Sequence, residues 1–360
     1  MKRIGHLFED VVSTETLRHA FYLAAKGKRD RKEVQQFSQD ADERIKKLAD
    51  QLVAGEYTFG RFQQFWIRDP KERLISAPAF EERVIHHAIM IVCEPYFDRW
   101  LIDDCYACRK GKGREAAVIR AAELTKRWDF SLHLDVRKYF DSVSHARLKG
   151  FLLRRFKDRR LLDLFDRIIR SFRGELGVGL PIGSLTSQHL ANFYLGELDR
   201  YVKHDLCPAG YVRYMDDLVV WDDDRRKIIY CHGKMMTFLA DALSLELKPS
   251  SCQATRHGVS FLGCRVFPTH TLLNRRSRLR WQRRIRELKT LEHEGFYSEH
   301  ELQVRYQSAT AFTTAAGVKS WRYRRAVLKR IEVGDREELE PGQPGRQLEQ
   351  PCLELPVGEP

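Results

Sequence analysis

The tightest constraint on this chain lies at residues 210–221. Two runs of strand-forming residues, 210–213 and 218–221, are separated only by Tyr214-Met215-Asp216-Asp217. So short a connection closes as a tight hairpin and carries two adjacent carboxylates at its tip. Paired aspartates are also ordinary solvated turn formers, so a second feature has to decide between the two meanings. It lies upstream in Leu132-His133-Leu134-Asp135-Val136, an apolar run that reaches one aspartate and then enters Arg137-Lys138-Tyr139-Phe140-Asp141. That pattern predicts a strand with a carboxylate at its C-terminal end.

Carboxylates on rigid strands suit in-line displacement at phosphorus, where two divalent ions about 3.5–4 Å apart stabilise the attacking and leaving oxygens. Magnesium prefers oxygen and keeps several waters, so two or three aspartates plus substrate phosphates complete its shell. Asp135 and Asp216 are the expected bridging ligands. Asp217 is aimed less squarely, because neighbours on a strand point to opposite faces.

Further blocks follow in order along the chain. They are Asp69-Pro70-Lys71-Glu72-Arg73-Leu74-Ile75, Glu82-Arg83-Val84-Ile85-His86-His87-Ala88, Cys105-Tyr106-Ala107-Cys108-Arg109-Lys110-Gly111-Lys112-Gly113 and Gly179-Leu180-Pro181-Ile182-Gly183-Ser184-Leu185-Thr186-Ser187-Gln188. Leu245-Glu246-Leu247-Lys248-Pro249 and Val259-Ser260-Phe261-Leu262-Gly263 come after the aspartate hairpin. Together they resemble the reverse transcriptases, over residues 17–328. The run Ile-Gly-x-x-x-Ser-Gln at Ile182 to Gln188, where most relatives carry glutamine and proline at its two ends, is similar to the reverse transcriptases of diversity-generating retroelements. The expected lack of a maturase domain or a Cys/His-rich endonuclease after residue 328 agrees with that subfamily.

The resemblance implies an α+β right-hand polymerase: fingers with N-terminal helices (residues 1–130), a palm with an antiparallel sheet (131–270) and a helical thumb (271–332). It implies two Mg²⁺ ions, with Mn²⁺ able to substitute, held by Asp135, Asp216, Asp217 and the backbone carbonyl of Val136. Arg73 matches the triphosphate-binding position, with Lys71 and Arg68 as secondary candidates. Phe140, five residues after Asp135, resembles the ring that excludes a ribose 2′-hydroxyl. Ile182, Gly183 and Gln188 complete the nucleotide pocket, and an apolar Ile182 cannot hydrogen-bond near the nascent base pair, which implies low fidelity. Arg109, Gly263, Arg283 and Arg284 are the expected template and primer contacts. Lys248 stands where relatives carry asparagine, and Ser250-Ser251 replace their lysines, so Lys248 is the candidate general acid. The implied partners are template RNA, a cDNA or primer strand, dNTPs and a small basic accessory protein. The implied setting is a bacterial or phage-encoded cytoplasmic enzyme.

Composition agrees with a polyanionic partner. The net charge is +13 and the pI about 9.4. The acidic end, residues 333–360, holds seven acids and two bases amid Pro, Gly and Gln and reads as a disordered tail. The seven arginines within residues 275–286 repel one another unless something neutralises them, which favours a duplex backbone. A hydrophobic fraction of 43% excludes general disorder, and no apolar run approaches the ~18 residues of a membrane span. The N-terminus lacks a signal-peptide core. Eight cysteines include one Cys-x-x-Cys, at Cys105 and Cys108, without the second pair a zinc site needs, so free thiols in a reducing compartment are expected.

Apolar spacing predicts helices with Leu17, Phe21 and Ala24 on one face and Ile45, Leu48 and Leu52 on another, the latter ending at Gly55. It predicts a strand pair from residue 57, a helix over 82–95, a helical insertion over 147–172 and a long helix over 186–201. His86 and His87 diverge by ~100° on their helix and cannot chelate together. Three other readings compete: a retron, group II-like or phage-defence reverse transcriptase; an RNA-binding, maturase-like protein that no longer polymerises; and a nucleotide cyclase with a related palm.

Overall fold

The computed structural model describes residues 3–68, 72–172 and 177–311. Lys71, the 321–328 segment expected in the thumb and the acidic tail lie outside the described residues. Four helices open the chain: α1 (Phe8–Val12), α2 (Thr14–Ala25), α3 (Lys32–Gln39) and α4 (Ala41–Ala54). Ser13 caps α2 by accepting from the Thr16 N–H, and α4 stops where Gly55 takes φ 73°, a left-handed value that costs glycine little. Leu17, Phe21, Ala24, Ile45, Leu48 and Leu52 are all buried, as their spacing requires.

The hairpin β1 (Phe62–Arg68) and β2 (Glu72–Pro78) follows, then α5 (Phe80–Asp98) and α6 (Arg114–Arg127). The strand pair starts later than its aromatic alternation suggests, and its second strand, Glu-Arg-Leu-Ile-Ser-Ala-Pro, carries little β signal of its own. Next come β3 (Phe130–Asp135), α7 (Tyr139–Ser142), α8 (His145–Arg155), α9 (Arg159–Ser171) and α10 (Leu185–Tyr201). The predicted insertion is two helices rather than one. Asp158 breaks it, capping α9 at the Leu161 N–H while its other oxygen accepts from the Leu7 and Phe8 N–H groups.

The remaining strands and α-helices among the described residues are β4 (Gly210–Tyr214), β5 (Asp217–Asp222), α11 (Arg225–Leu243), β6 (Gln253–Ala254), β7 (Val259–Phe261), β8 (Cys264–Val266), β9 (Thr271–Leu273), α12 (Arg275–His293) and α13 (Glu299–Ala311). Among the described residues three antiparallel sheets result: β1-β2, the four-stranded β4-β5-β3-β6, and β7-β8-β9.

The four-stranded sheet is covered on both faces. Tyr211, Leu218 and Val220 join the large core with α5 and α10, whereas Val212, Val219 and Trp221 join a second core with α6 and β7–β8. Period-two alternation thus divides one apolar run between two cores, and each fully buried Val or Leu contributes roughly 1.5–3 kcal/mol. Trp221 also satisfies its indole N–H on Thr125 Oγ1 at 3.2 Å. At the far end α12 and α13 form a small separate core of Trp281, Ile285 and Leu288 against Leu302 and Tyr306. Among the described residues no helix is long and apolar enough to cross a membrane.

Candidate active site

Strand register assembles the acidic cluster. Asp135 lies directly opposite Asp217 in the β3–β5 ladder, so both side chains leave the same face. The β4–β5 turn is only Met215 and Asp216, with Met215 at φ 53°. Positive φ at the first turn residue is the sign pattern of a type II′ hairpin, a place that favours glycine. A non-glycine residue there is a strained conformation of the kind that concentrates at functional sites. The Val136 N–H donates to the Asp216 carbonyl at 3.3 Å and ties the turn to the end of β3.

The three carboxylates have different surroundings. Burial pushes the Asp216 pKa up to about 6; the neighbouring charges of Asp135 and Asp217 add to the rise, and Arg73 opposes it. Asp217 Oδ1 accepts from His133 Nε2 at 2.5 Å. His133 sits opposite Val219, so it is the diagonal neighbour of Asp217 on the same face. Burial alone would lower the His133 pKa, but the hydrogen bond and charge of Asp217, helped by Asp135, raise it. Asp135 Oδ1 accepts from Lys248 Nζ at 2.5 Å, and the Lys248 N–H donates to the Asp135 carbonyl at 2.9 Å.

The hard-oxygen donor set fits magnesium, which needs few carboxylates when water and phosphates supply the rest. As they stand, however, no three His, Cys, Asp or Glu side chains among the described residues are gathered to hold one ion. Asp135 faces the Lys248 ammonium instead, and Asp217 faces the His133 ring. Where an ion binds, Asp135, Asp216 and Asp217 are the residues to hold it.

A buried network supports the turn from below. Arg213 and Asp199 are both fully buried. Arg213 donates through Nε and Nη2 to the Asp199 oxygens at 2.7 and 2.5 Å, and through Nη1 to Asn192 Oδ1 at 2.7 Å and the Met215 carbonyl at 3.2 Å. Tyr211 donates its hydroxyl to the same carboxylate at 2.7 Å. Sequence reasoning missed these residues. The available signal was a charge inside an apolar strand, Arg213 after Val212, and another on the apolar face of α10, Asp199 after Leu198.

The fingers residues converge from β2. Arg73 pairs with Ile67 across the hairpin and shares the face of Ile75. Glu72 and Glu81 are paired with Arg68 at 3.0 Å and Arg44 at 3.5 Å, so neither occupies Arg73, which is exposed and within electrostatic reach of Asp216. Gly183 has φ 112°, and an added Cβ would stand 2.7 Å from Ile75 Cγ2. Its close approach is therefore to β2 itself, fixed further by the Ser76 N–H on the Ile182 carbonyl at 2.8 Å. The turn is also held by Ser184 Oγ, 3.0 Å from buried His86 Nδ1. Ile182 stays half-exposed beside it, and Gln188 Oε1 lies 3.8 Å from Cys108 Sγ. Of the two rings after Asp135, Tyr139 is buried with its hydroxyl on the Ala191 carbonyl, while Phe140 is half-buried.

The expected nucleic-acid contacts are placed unevenly. Arg109 is engaged internally, with Nε on Asp98 Oδ1 at 2.5 Å and Nη1 on the Ile102 and Cys105 carbonyls at 2.7 and 2.8 Å. Its side chain is 9% exposed, so its geometry is that of a loop brace rather than a template contact. Gly263, at φ 78°, lets the β7–β8 turn meet α12, since a Cβ there would lie 2.7 Å from Ser277 Oγ. Arg283 and Arg284 are exposed on α12, loosely paired with Glu287 at 3.5 and 3.6 Å. Cys93, Cys105, Cys207, Cys231, Cys252 and Cys264 carry free thiols.

Comparison with known proteins now adds to this geometry. The family described as reverse transcriptase (RNA-dependent DNA polymerase) matches residues 68–266, more than half of the chain. The chain belongs to the reverse transcriptase family. Its antiparallel sheet flanked by helices fits the right-hand polymerase fold of that family. This reverse transcriptase chain is 26% identical over 183 residues to protein YkfC of Escherichia coli, covering 46% of this chain and 47% of that protein. It is 26% identical over 173 residues to the group II intron-encoded protein LtrA of Lactococcus lactis, covering 45% and 28%. A putative COX1/OXI3 intron 1 protein of Saccharomyces cerevisiae is 23% identical over 168 residues, covering 44% and 20%. The matches therefore span less than half the length of these curated relatives. An apo telomerase structure from Candida tropicalis aligns with TM-score 0.46 and 8% identity over 65% of this chain and 53% of that one.

Proposed function

We propose that this reverse transcriptase is an RNA-directed DNA polymerase that extends a primer on template RNA from dNTPs. The observation that carries the proposal is the cross-strand placement of Asp135 opposite Asp217, with Asp216 at the adjoining strained turn. Two bound Mg²⁺ ions would supply charge stabilisation for the attacking and leaving oxygens. Asp135 and Asp216 would hold them, with Asp217 and the Val136 carbonyl as further protein ligands. Arg73 receives the triphosphate through its planar fork, with Lys71 beside it in sequence. Phe140 closes the space of a ribose 2′-hydroxyl, and Ile182, Gly183 and Gln188 line the base-pair side. Lys248 is the candidate to deliver a proton to pyrophosphate, because its ammonium already reaches Asp135. Gly263, Arg283 and Arg284 are the proposed primer and template contacts.

The Ile182 to Gln188 run supports an error-prone enzyme of a diversity-generating retroelement, working with a small basic accessory protein. The group II intron-encoded relative from Lactococcus favours a second reading, a group II-like reverse transcriptase. Extension of a DNA primer annealed to RNA, compared with Asp135→Asn, tests the activity: the wild type must extend and the variant must not. Sequencing that cDNA separates the two subfamilies, since errors concentrated opposite template adenines support the first and an even, sparse spectrum supports the second.

A further inference from the structure

The proposed ion site carries its own cation. Val136 bridges to Leu247 in antiparallel fashion, which sets Lys248 opposite Asp135 on one side while Asp217 lies opposite it on the other. Lys248, Asp135 and Asp217 thus form one cross-strand row on one face, and His133 completes it diagonally. Both ends of the row are paired at 2.5 Å, Lys248 on Asp135 and His133 on Asp217. Backbone pairing fixes Lys248 in this register, so its ammonium returns to the same carboxylate rather than to a surface partner.

We propose that Lys248 is a resident counter-ion of the metal site, holding in the ion-free protein the position toward Asp135 that a divalent ion takes on loading. The inference rests on the two-metal reading above and deepens it. The charges of Asp135 and Asp217 both act against that of Asp216 at this sheet end. The Lys248 ammonium on Asp135 relieves part of that repulsion without closing the site. An entering ion must then displace an ammonium, which weakens its apparent affinity and frees Lys248 beside the substrate phosphates.

The test is equilibrium Mn²⁺ binding by the full chain without primer or nucleotide, followed by electron paramagnetic resonance of the free ion. Lys248→Met should bind Mn²⁺ about fivefold tighter than wild type, the effect of removing one half-exposed ion pair. Lys248→Arg, which keeps the charge, should bind within about twofold of wild type. Lys248 is 38% exposed, so neither substitution opens a core, and thermal melting in EDTA verifies the fold of each. Equal or weaker binding by Lys248→Met overturns the counter-ion role while leaving the two-metal reading intact. Wild-type binding that Asp135→Asn leaves unchanged overturns both.

Discussion

Replacing Asp199 with alanine should be among the most damaging single changes outside the acidic cluster. Both Asp199 and Arg213 are fully excluded from solvent, and the carboxylate accepts two bonds from Arg213 and one from Tyr211. Removing it leaves a guanidinium buried with only Asn192 and the Met215 carbonyl as partners. Breaking a buried pair from one side costs about 3–5 kcal/mol, which lowers the melting temperature by roughly 6–20 °C at about 2–4 °C per kcal/mol. Arg213→Met should cost about as much, and the double variant Asp199→Ala/Arg213→Met should cost less than the sum, because no charge remains buried. Activity should follow a different course. The double variant regains stability but loses the Nη1 anchor on Met215, so its primer-extension rate should stay at least about tenfold down. Thermal melting and single-turnover extension on the same four proteins read both quantities. Single-variant losses below ~1 kcal/mol, or a double variant with wild-type rate, would refute the claim that this pair holds the catalytic turn.

Other outcomes follow from the same geometry. Phe140→Ala should relax discrimination against ribonucleotides by about 10–100-fold, read from dNTP and rNTP incorporation in parallel; unchanged selectivity removes Phe140 from the sugar pocket. Ile182→Gln should lower errors opposite template adenines by several-fold in sequenced cDNA, and an unaltered spectrum would count against the diversity-generating reading. Acid should destabilise the protein through its buried histidines: burial, with His87 adding, lowers His86 to about 3 and His189 to about 4. These groups refuse protons that the unfolded chain accepts, so their contribution is complete above pH about 6.5 and falls as pH drops. At pH 5 each costs about 2 kcal/mol. His189→Gln should flatten the fall in melting temperature between pH 7.5 and 5, and an identical slope would locate the acid sensitivity elsewhere.

Much of this site is legible in the sequence because its residues sit in strands, where register is governed by alternation. The hairpin at 210–221 admits one turn, and the strand ending at Asp135 has one buried face pattern to satisfy, so their pairing is foreseeable. The helical cores of α2, α4 and α10 follow for the same reason, since a spacing of three and four exposes one stripe to burial. What sequence alone could not supply is contact between distant segments. Asp199 and Arg213 are separated by a helix end and a turn, and only packing reveals that they meet. Lys248 enters the site because the segment after α11 pairs with β3, a register that no local pattern encodes. Arg109 is a further case, because only the structure shows that the Asp98 carboxylate and two backbone carbonyls engage it.

Anomalous diffraction from crystals grown with Mn²⁺, an RNA–DNA primer duplex and a non-incorporable dNTP tests the central claim most directly. Two peaks about 3.5–4 Å apart, shared by the Asp135 and Asp216 carboxylates and touching the nucleotide phosphates, are the predicted result. A single peak away from the β3–β5 strand ends, or carboxylates still bound to Lys248 and His133 beside a seated nucleotide, would contradict it.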